Sequence, residues 1–276
     1  MADVQEIVLK GDTAVGVRLK DGQTFNAKQI ISAAGVQSTI RRLLPAHVQA
    51  QPWAQEVANL RPASAHVCLY IGFKGDISTA GASSANKWFY DTWSMEFDAW
   101  DVSDPDNLTS AEILYCSFPS LKDPNHDPGP EQRHTGEVVT FVPWETFERW
   151  QQRKWRKRGD DYDDFKAKIQ AVLLEQLLTH MPELRGMVDY VELSTPLSTE
   201  TFCRPVRGSI YGIEPTPERF AVDALRPASP IKQLYFAGSE ITSVGVIGAM
   251  MGGVMAAVAA EPMGTIKYLR KMPRRG

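Results

Sequence analysis

The chain has 276 residues, 43% of them hydrophobic, enough for one large domain or two smaller ones with a real core. Its 30 basic and 33 acidic side chains leave a formal charge of −3, which offers nucleic acid no electrostatic grip and predicts no nucleic-acid partner. Three widely spaced cysteines, Cys68, Cys116 and Cys203, make neither a disulfide framework nor a zinc spacing, and Met1-Ala2-Asp3-Val4 lacks the basic and apolar regions of a signal peptide, so the expected setting is reducing and cytoplasmic.

Residues 4–9 and 15–19 read as two strands of an antiparallel unit, joined at Lys10-Gly11-Asp12 and followed by a hairpin turn at Asp21-Gly22. A further strand over 29–31 runs into Ser32-Ala33-Ala34-Gly35, and a helix is expected over 38–44, before Pro45. Strand, small-residue turn and helix in that order are where backbone can meet a ligand.

Residues 50–190 hold all seven tryptophans, strand-like runs at 66–73, 112–118 and 138–142, and polar, proline-rich loops near 101–110 and 119–136. Such a region suits a bulky apolar ligand, although any single tryptophan is as readily a core residue. Helices are expected over 144–158 and 162–181, the second with apolar residues near helical spacing and a stop before Pro182. The basic cluster Arg149, Arg153, Lys154, Arg156, Lys157 and Arg158 reads as a solvated helix face, with phospholipid head groups or a phosphorylated ligand as the other reading. A strand over 188–193 is expected to return to the first region, followed by a short helix capped by Ser198 or Thr199. The loops around Arg207 and Arg219 either line a site or brace a core.

Leu234 to Ala237 fits a buried strand that Gly238 ends, and residues 248–260 form a helix of small, uncharged residues. Glycines there let a ligand approach the main chain at a helix N-terminus, a setting for an anionic or electron-rich planar group. Tight packing on a sheet is the competing explanation. The apolar run over 244–260 is interrupted by Gly245, Gly248, Gly252 and Gly253 and falls short of the ~20 apolar residues that span a bilayer. Lys267, Arg270, Lys271, Arg274 and Arg275 resemble a frayed tail. His47, His66, His126, His134 and His180 are scattered and read as structural or solvated, and no metal cluster is expected.

Four blocks taken together resemble the flavin-dependent amine oxidase, phytoene desaturase and carotenoid isomerase superfamily, and within it the retinol saturase-like branch. They are Val4-Gln5-Glu6-Ile7 with 14–22 and Ile30-Ile31-Ser32-Ala33-Ala34-Gly35; Arg158-Gly159-Asp160-Asp161-Tyr162 with Lys166; 194–199 with Arg207-Gly208-Ser209-Ile210-Tyr211-Gly212; and Gly238-Ser239-Glu240-Ile241 followed by Gly245-Val246-Ile247-Gly248-Ala249. The family's G-x-G-x-x-G turn, which holds the FAD pyrophosphate, occurs nowhere in the sequence. The chain is therefore expected to represent the carboxy-terminal portion of such a flavoenzyme, completed by an amino-terminal segment or subunit.

The resemblance implies a mixed α/β fold: a partial FAD-binding, glutathione-reductase-type Rossmann-like domain over 1–50 and 190–276, with an inserted substrate domain of mixed sheet and helices over 51–189. It implies FAD as cofactor, with Val4 offering backbone hydrogen bonds to the adenine and Ala34 and Gly35 passing the adenosine. Gly238, Ser239 and Glu240 would lie along the ribityl and phosphate portion, while Gly245, Val246, Ile247 and Gly248 would place helix amides at the pyrimidine edge of the isoalloxazine. A positive helix end there stabilises an anionic reduced ring. For Glu240 the alternative is a surface or helix-capping acid. Gly248→Leu is expected to abolish flavin retention while leaving folding largely intact.

The implied activity is hydride transfer between flavin and a long apolar isoprenoid, carotenoid or retinoid, with peripheral membrane contact open. Glu200, Arg204, Arg207 and Tyr211 are candidates for the site wall, and no catalytic residue is assigned. A lipid-binding escort protein without flavin, as in the Rab escort and GDP dissociation inhibitor proteins that share this fold, and a fragment without function of its own, are the competing readings.

Overall fold

In the computed structural model, residues 2–94 and 98–271 are described. They fall into two compact units, one formed by Met1–Ala63 with Cys203–Gly276 and the other by Ser64–Phe202.

The first unit opens with β1 (Val4–Lys10) and β2 (Thr13–Leu19), antiparallel from Val4 opposite Leu19 to Lys10 opposite Thr13, and β3 (Thr24–Asn26) adds to β2. Gly16 is required in β2 because a Cβ there would stand 2.3 Å from the carbonyl oxygen of Phe25. β4 (Ile30–Ser32) follows, and then α1 (Val36–Ser38), which widens into a π-type turn over Thr39–Leu43. The expected helix thus starts two residues earlier and is not a regular α-helix. Thr39 is tied at both ends of the strand-to-helix turn, its hydroxyl donating to the Gly35 carbonyl at 2.6 Å and lying 2.6 Å from the Ser32 hydroxyl. The short helices α2 (Ala46–Gln49) and α3 (Pro52–Ala58) close this stretch.

The second unit is a five-stranded sheet backed by one long helix. Its strands are β5 (Ala65–Lys74), β6 (Lys87–Tyr90), β7 (Ile113–Ser117), β8 (Arg133–Val142) and β9 (Val188–Ser194), in the order β6-β7-β8-β5-β9, with every pair antiparallel. The strand expected to return to the first region instead pairs with β5, Leu193 opposite Leu69, because its buried residue faces the same core. Between β8 and β9 lie α4 (Glu145–Glu148) and α5 (Asp160–His180), and α6 (Pro196–Cys203) follows β9. Val67, Leu69, Ile71 and Phe73 point to one side of β5 and share a core with Phe165, Ile169, Leu173 and Leu177 of α5. Burial of a side chain of this size contributes roughly 1.5–3 kcal/mol, so this interface is the unit's main source of stability.

The helix expected over 144–158 is only the single turn α4. Trp150 is fixed by tertiary contacts, its indole N–H donating to Asp161 at 2.7 Å, and Arg156 takes a left-handed φ of 60°, which ends any helical path. The basic cluster is not a solvated face throughout. Arg158 is buried, donating to the Leu197 carbonyl at 3.1 Å and the Thr201 hydroxyl at 2.9 Å. In α6, Pro196 occupies the first turn and puts Ser198 and Thr199 inside the helix rather than at its cap.

The chain re-enters the first unit with α7 (Pro217–Ala221), β10 (Leu234–Phe236), α8 (Gly245–Ala260) and α9 (Pro262–Lys271). β10 runs parallel to β4, with Leu234 opposite Ile30 and Phe236 opposite Ser32. The second basic cluster is helical as far as Lys271, because α9 continues beyond Pro262, while Arg274 and Arg275 lie outside the described residues. Among the described residues no helix is long and apolar enough to cross a membrane.

Candidate functional site

The candidate site belongs to the first unit and is assembled from three stretches far apart in sequence. Two residues past β10, Gly238 holds a φ of 112°, which only glycine adopts easily, and the chain turns there to bury Glu240. The Glu240 carboxylate accepts a hydrogen bond from the backbone amide of Val36, the first residue of α1. It fills the space a side chain would need at two other glycines: a Cβ at Gly212 would sit 1.9 Å from its Oε1, and one at Gly35 3.3 Å away. Gly35 and Gly212 also have positive φ, 82° and 75°, so both space and backbone geometry demand glycine.

A buried carboxylate needs compensation. Burial drives the pKa of Glu240 up, and hydrogen bonds from the backbone of Val36, Gln37 and Ile213, with the charge of Arg219, work against that rise. Arg219 is itself only 2% exposed and donates to the carbonyls of Ile213, at 2.8 Å, and Ser239. The alternative of a surface acid at Glu240 is thereby excluded, while that of a helix-capping acid is observed, in that its carboxylate takes the first backbone amides of α1. Of the two loop arginines, Arg219 braces the site. Sequence reasoning did not join Gly212 and Arg219 to Glu240, and the glycine of Tyr211-Gly212 was the available signal.

α8 packs through Gly248, Gly252, Ala256 and Ala260, one small residue per turn. A Cβ at Gly252 would come within 2.1 Å of the Gly238 carbonyl oxygen, and one at Gly248 within 1.6 Å of the Ser243 carbonyl oxygen. Gly248 is therefore a packing residue, and the expectation that leucine there would leave folding intact is overturned. The helix start is different. Gly238 and Gly245 have nothing within 4 Å of an added Cβ, and the first turn of α8 has no side-chain cap. Bare main chain with uncapped amides is what a planar, electron-rich group needs for close approach, so these residues fit the ring end of a flavin.

Val4 stands apart from this cluster. It lines a cavity of about 310 Å³ with Asp3, Gln5, Lys20, Arg42, Leu43 and Arg204. Arg204 holds a left-handed φ of 56° and grips Asp3 with both nitrogens, at 2.6 and 2.8 Å, lowering the Asp3 pKa. Ala34 is exposed beside Gly35, and Val246 and Ile247 are exposed at the start of α8. Of the remaining wall candidates, Arg207 has a φ of 55° and Tyr211 is partly exposed in the first unit, while Glu200 accepts from Gln151 at 2.6 Å in the second. Among the described residues no group of His, Cys, Asp or Glu is arranged to hold a metal.

Residues 2–260 match the flavin containing amine oxidoreductases. The chain belongs to that family. This flavin amine oxidoreductase chain is 29% identical over 267 residues to the all-trans-retinol 13,14-reductase of Danio rerio, covering 92% of the chain and 44% of the relative. It is 25% identical over 270 residues to the chloroplastic prolycopene isomerase of Arabidopsis thaliana, covering 94% of the chain and 41% of the relative. The chain thus spans less than half the length of these relatives. Among solved structures, a putrescine oxidase double mutant aligns with a TM-score of 0.56 at 14% identity, over 96% of the chain and 48% of that protein. That likeness shows the fold, the mixed α/β class expected, and FAD is the cofactor that goes with the family.

Proposed function

We propose that this chain supplies the flavin-ring end of an FAD site and the substrate platform of an oxidoreductase acting on a long apolar polyene. The observation that carries the reading is the convergence at Glu240. Gly35 and Val36, Gly212, and Gly238 to Glu240 come from three separate blocks and meet around one buried carboxylate, next to the open side-chain position of Gly238 and the uncapped start of α8. Glu240 acts by fixing the loops, since its oxygens are taken up by backbone amides. Gly238, Ser239 and the amides of Gly245, Val246, Ile247 and Gly248 would hold the ribityl and ring portions, and Ala34, Gly35 and the cavity at Val4 the adenosine portion. A bound flavin supplies the hydride chemistry.

The second unit supports the substrate half of the reading. The side of its sheet turned away from α5 carries five aromatic rings, Tyr70 on β5, Trp88 and Tyr90 on β6, Tyr115 on β7 and Tyr190 on β9, which share it by register with the carboxylates of Glu137 on β8 and Glu192 on β9. Five strands at ~4.8 Å spacing make a platform roughly 19 Å across. The names of the relatives, a retinol reductase and a prolycopene isomerase, support a polyene as ligand.

We further propose that a polypeptide carrying the G-x-G-x-x-G turn completes the FAD site. α8 is apolar all round, and on its outer side Val246, Ile247 and Met250 are 85%, 68% and 57% exposed. A helix without a polar face is normally covered. The cations of α9, Lys267, Arg270 and Lys271, together with its exposed Met263, Ile266 and Leu269, support peripheral contact with a membrane that stores the substrate.

The test is gel filtration of the chain with FAD, alone and together with a dinucleotide-binding segment bearing that turn. Flavin absorbance co-eluting with the pair, and far less with the chain alone, is expected. Protein that stays colourless in both cases yet takes up retinol would overturn the oxidoreductase reading in favour of a lipid escort.

A further inference from the structure

The start of β8 gathers polar groups that the proposed function does not use. His134 is buried on the core side of the sheet, opposite Phe73 of β5, and its Nδ1 lies 3.2 Å from the Ser120 hydroxyl. That hydroxyl oxygen accepts the backbone N–H of Thr135 at 3.0 Å, which leaves its own hydrogen for Nδ1, the acceptor of a neutral imidazole. The ring of His126, from the loop before β8, stands 5.5 Å from that of His134, and its Nε2 donates to the Arg133 carbonyl at 2.8 Å. Asp76, just past β5, is the carboxylate that faces His134. The other charges of this corner, Lys74, Arg133, Glu131 and Asp189, pair among themselves. Burial, and then His126, lower the His134 pKa, with Asp76 working against them. The loop so held, residues 119–132, also reaches the opposite side of the sheet. Lys122 donates from Nζ to Asn86 and, at 2.7 Å, to the Ser117 hydroxyl, and Ser117 shares the aromatic face by its register with Glu137.

We propose that residues 119–132 are an acid-released strap on the rim of the aromatic face, with His134 as its latch and His126 as the neighbour that drives it open. The inference rests on the reading of the second unit as a ligand platform and deepens it by adding a regulation. A proton on His134 Nδ1 removes the acceptor that Ser120 uses, and a second on His126 sets two like charges against each other. In the released loop both rings are hydrated and charge freely. The attached His134 holds its proton less tightly than the released one. The attachment is therefore complete above the ordinary value of 6.5 and is lost as the pH falls from there through the lowered value. Release draws Lys122 away from Ser117 and Asn86 and opens that rim to water, so the hold on a ligand weakens in acid.

The test is amide hydrogen exchange of the full chain at about pH 7.5 and about pH 5.5, read by mass spectrometry on peptides covering 119–135 and corrected for the intrinsic pH dependence of exchange. Retinol affinity is measured at both pH values by tryptophan quenching. In the wild type, protection of the loop should fall about tenfold in acid while that of α5 stays constant, and retinol should bind about threefold more weakly. His134→Gln, uncharged at both pH values and still able to accept from Ser120, should keep the loop closed and the affinity constant. Ser120→Ala, which removes the bond without touching either histidine, should leave the loop open at both. Wild-type protection that does not change with pH, or a fall as large in His134→Gln, overturns the latch and leaves the platform standing. A loop that opens in acid on a protein that binds retinol at neither pH overturns the platform, and the strap's hold on a ligand with it.

Discussion

The two units build their candidate surfaces from opposite materials. In the first, the surface is main chain: Gly35 and Gly212 make room for one carboxylate, Gly248 and Gly252 bring a helix onto backbone, and Gly238 and Gly245 leave open the space where a side chain would stand. In the second, it is side chain, an aromatic face on a sheet whose other face is packed with aliphatic residues against α5. A surface made of backbone is intolerant, because any added atom moves the chain itself. A surface made of side chains is tolerant, since truncating one exposed ring leaves the β ladder in place. The contrast predicts where substitutions damage folding and where they damage recognition alone.

The largest effect is expected at α8. Gly252→Val places carbon against the Gly238 carbonyl oxygen, which cannot retreat without moving β10, and should cost about 3 kcal/mol in a urea titration followed by circular dichroism. Gly253, one position on, has open space around it, and Gly253→Ala should stabilise by about 0.5–1 kcal/mol through helix propensity alone. Equal effects at the two positions would mean that α8 does not rest on the Gly238 turn, and the backbone-built site would be lost with that contact.

Glu240 gives the next effect, read as a pH dependence. Its folded-state pKa is raised above the ordinary value of 4.5 by burial, so the native state holds its proton more tightly than the unfolded chain. Its contribution is therefore fully present below about pH 4.5 and is lost as pH rises through the raised value. The stability difference between wild type and Glu240→Gln, measured from about pH 4 to about pH 8, should shift against the wild type with rising pH, since the other titrating groups are common to both. A difference that moves the other way would show that the amides and Arg219 overcompensate burial and hold the carboxylate ionised.

What could be read from the sequence follows the same division. Glycines and strand periods leave marks in a linear sequence, so Gly35, Gly238, Gly245 and the strands around Val4, Ile30, Ala65 and Leu234 were visible. The long helix α5 was visible because its apolar residues recur at helical spacing. The partners of Glu240 were not, because Gly212 and Arg219 reach it through tertiary packing that no local spacing encodes. The expected helix over 144–158 failed because tertiary contacts such as Trp150 to Asp161 override the good local helix propensity of its arginines and lysines. β6, four residues long, carries no pattern of its own and becomes part of the platform only through its register with β7, Trp88 opposite Tyr115. The meeting of His126 with His134 is a property of the folded loop and leaves no trace in sequence at all.

The smallest effect on folding belongs to the aromatic face, and there the two properties should separate. Trp88 stacks near Tyr90 at 6.2 Å and meets Tyr115 edge-on at 4.9 Å, yet it is half exposed, so Trp88→Ala removes ring contacts without opening the core. The loss in stability should stay at about 1 kcal/mol, the worth of one aromatic pair. Retinol affinity should fall about fivefold, because a polyene on the face loses the largest surface it can lie against. The reverse pattern, a large fall in stability with retinol affinity untouched, would make Trp88 a packing residue like Gly252. Recognition in the second unit would then have to lie elsewhere, and the contrast between a backbone-built and a side-chain-built surface would reduce to a difference in packing.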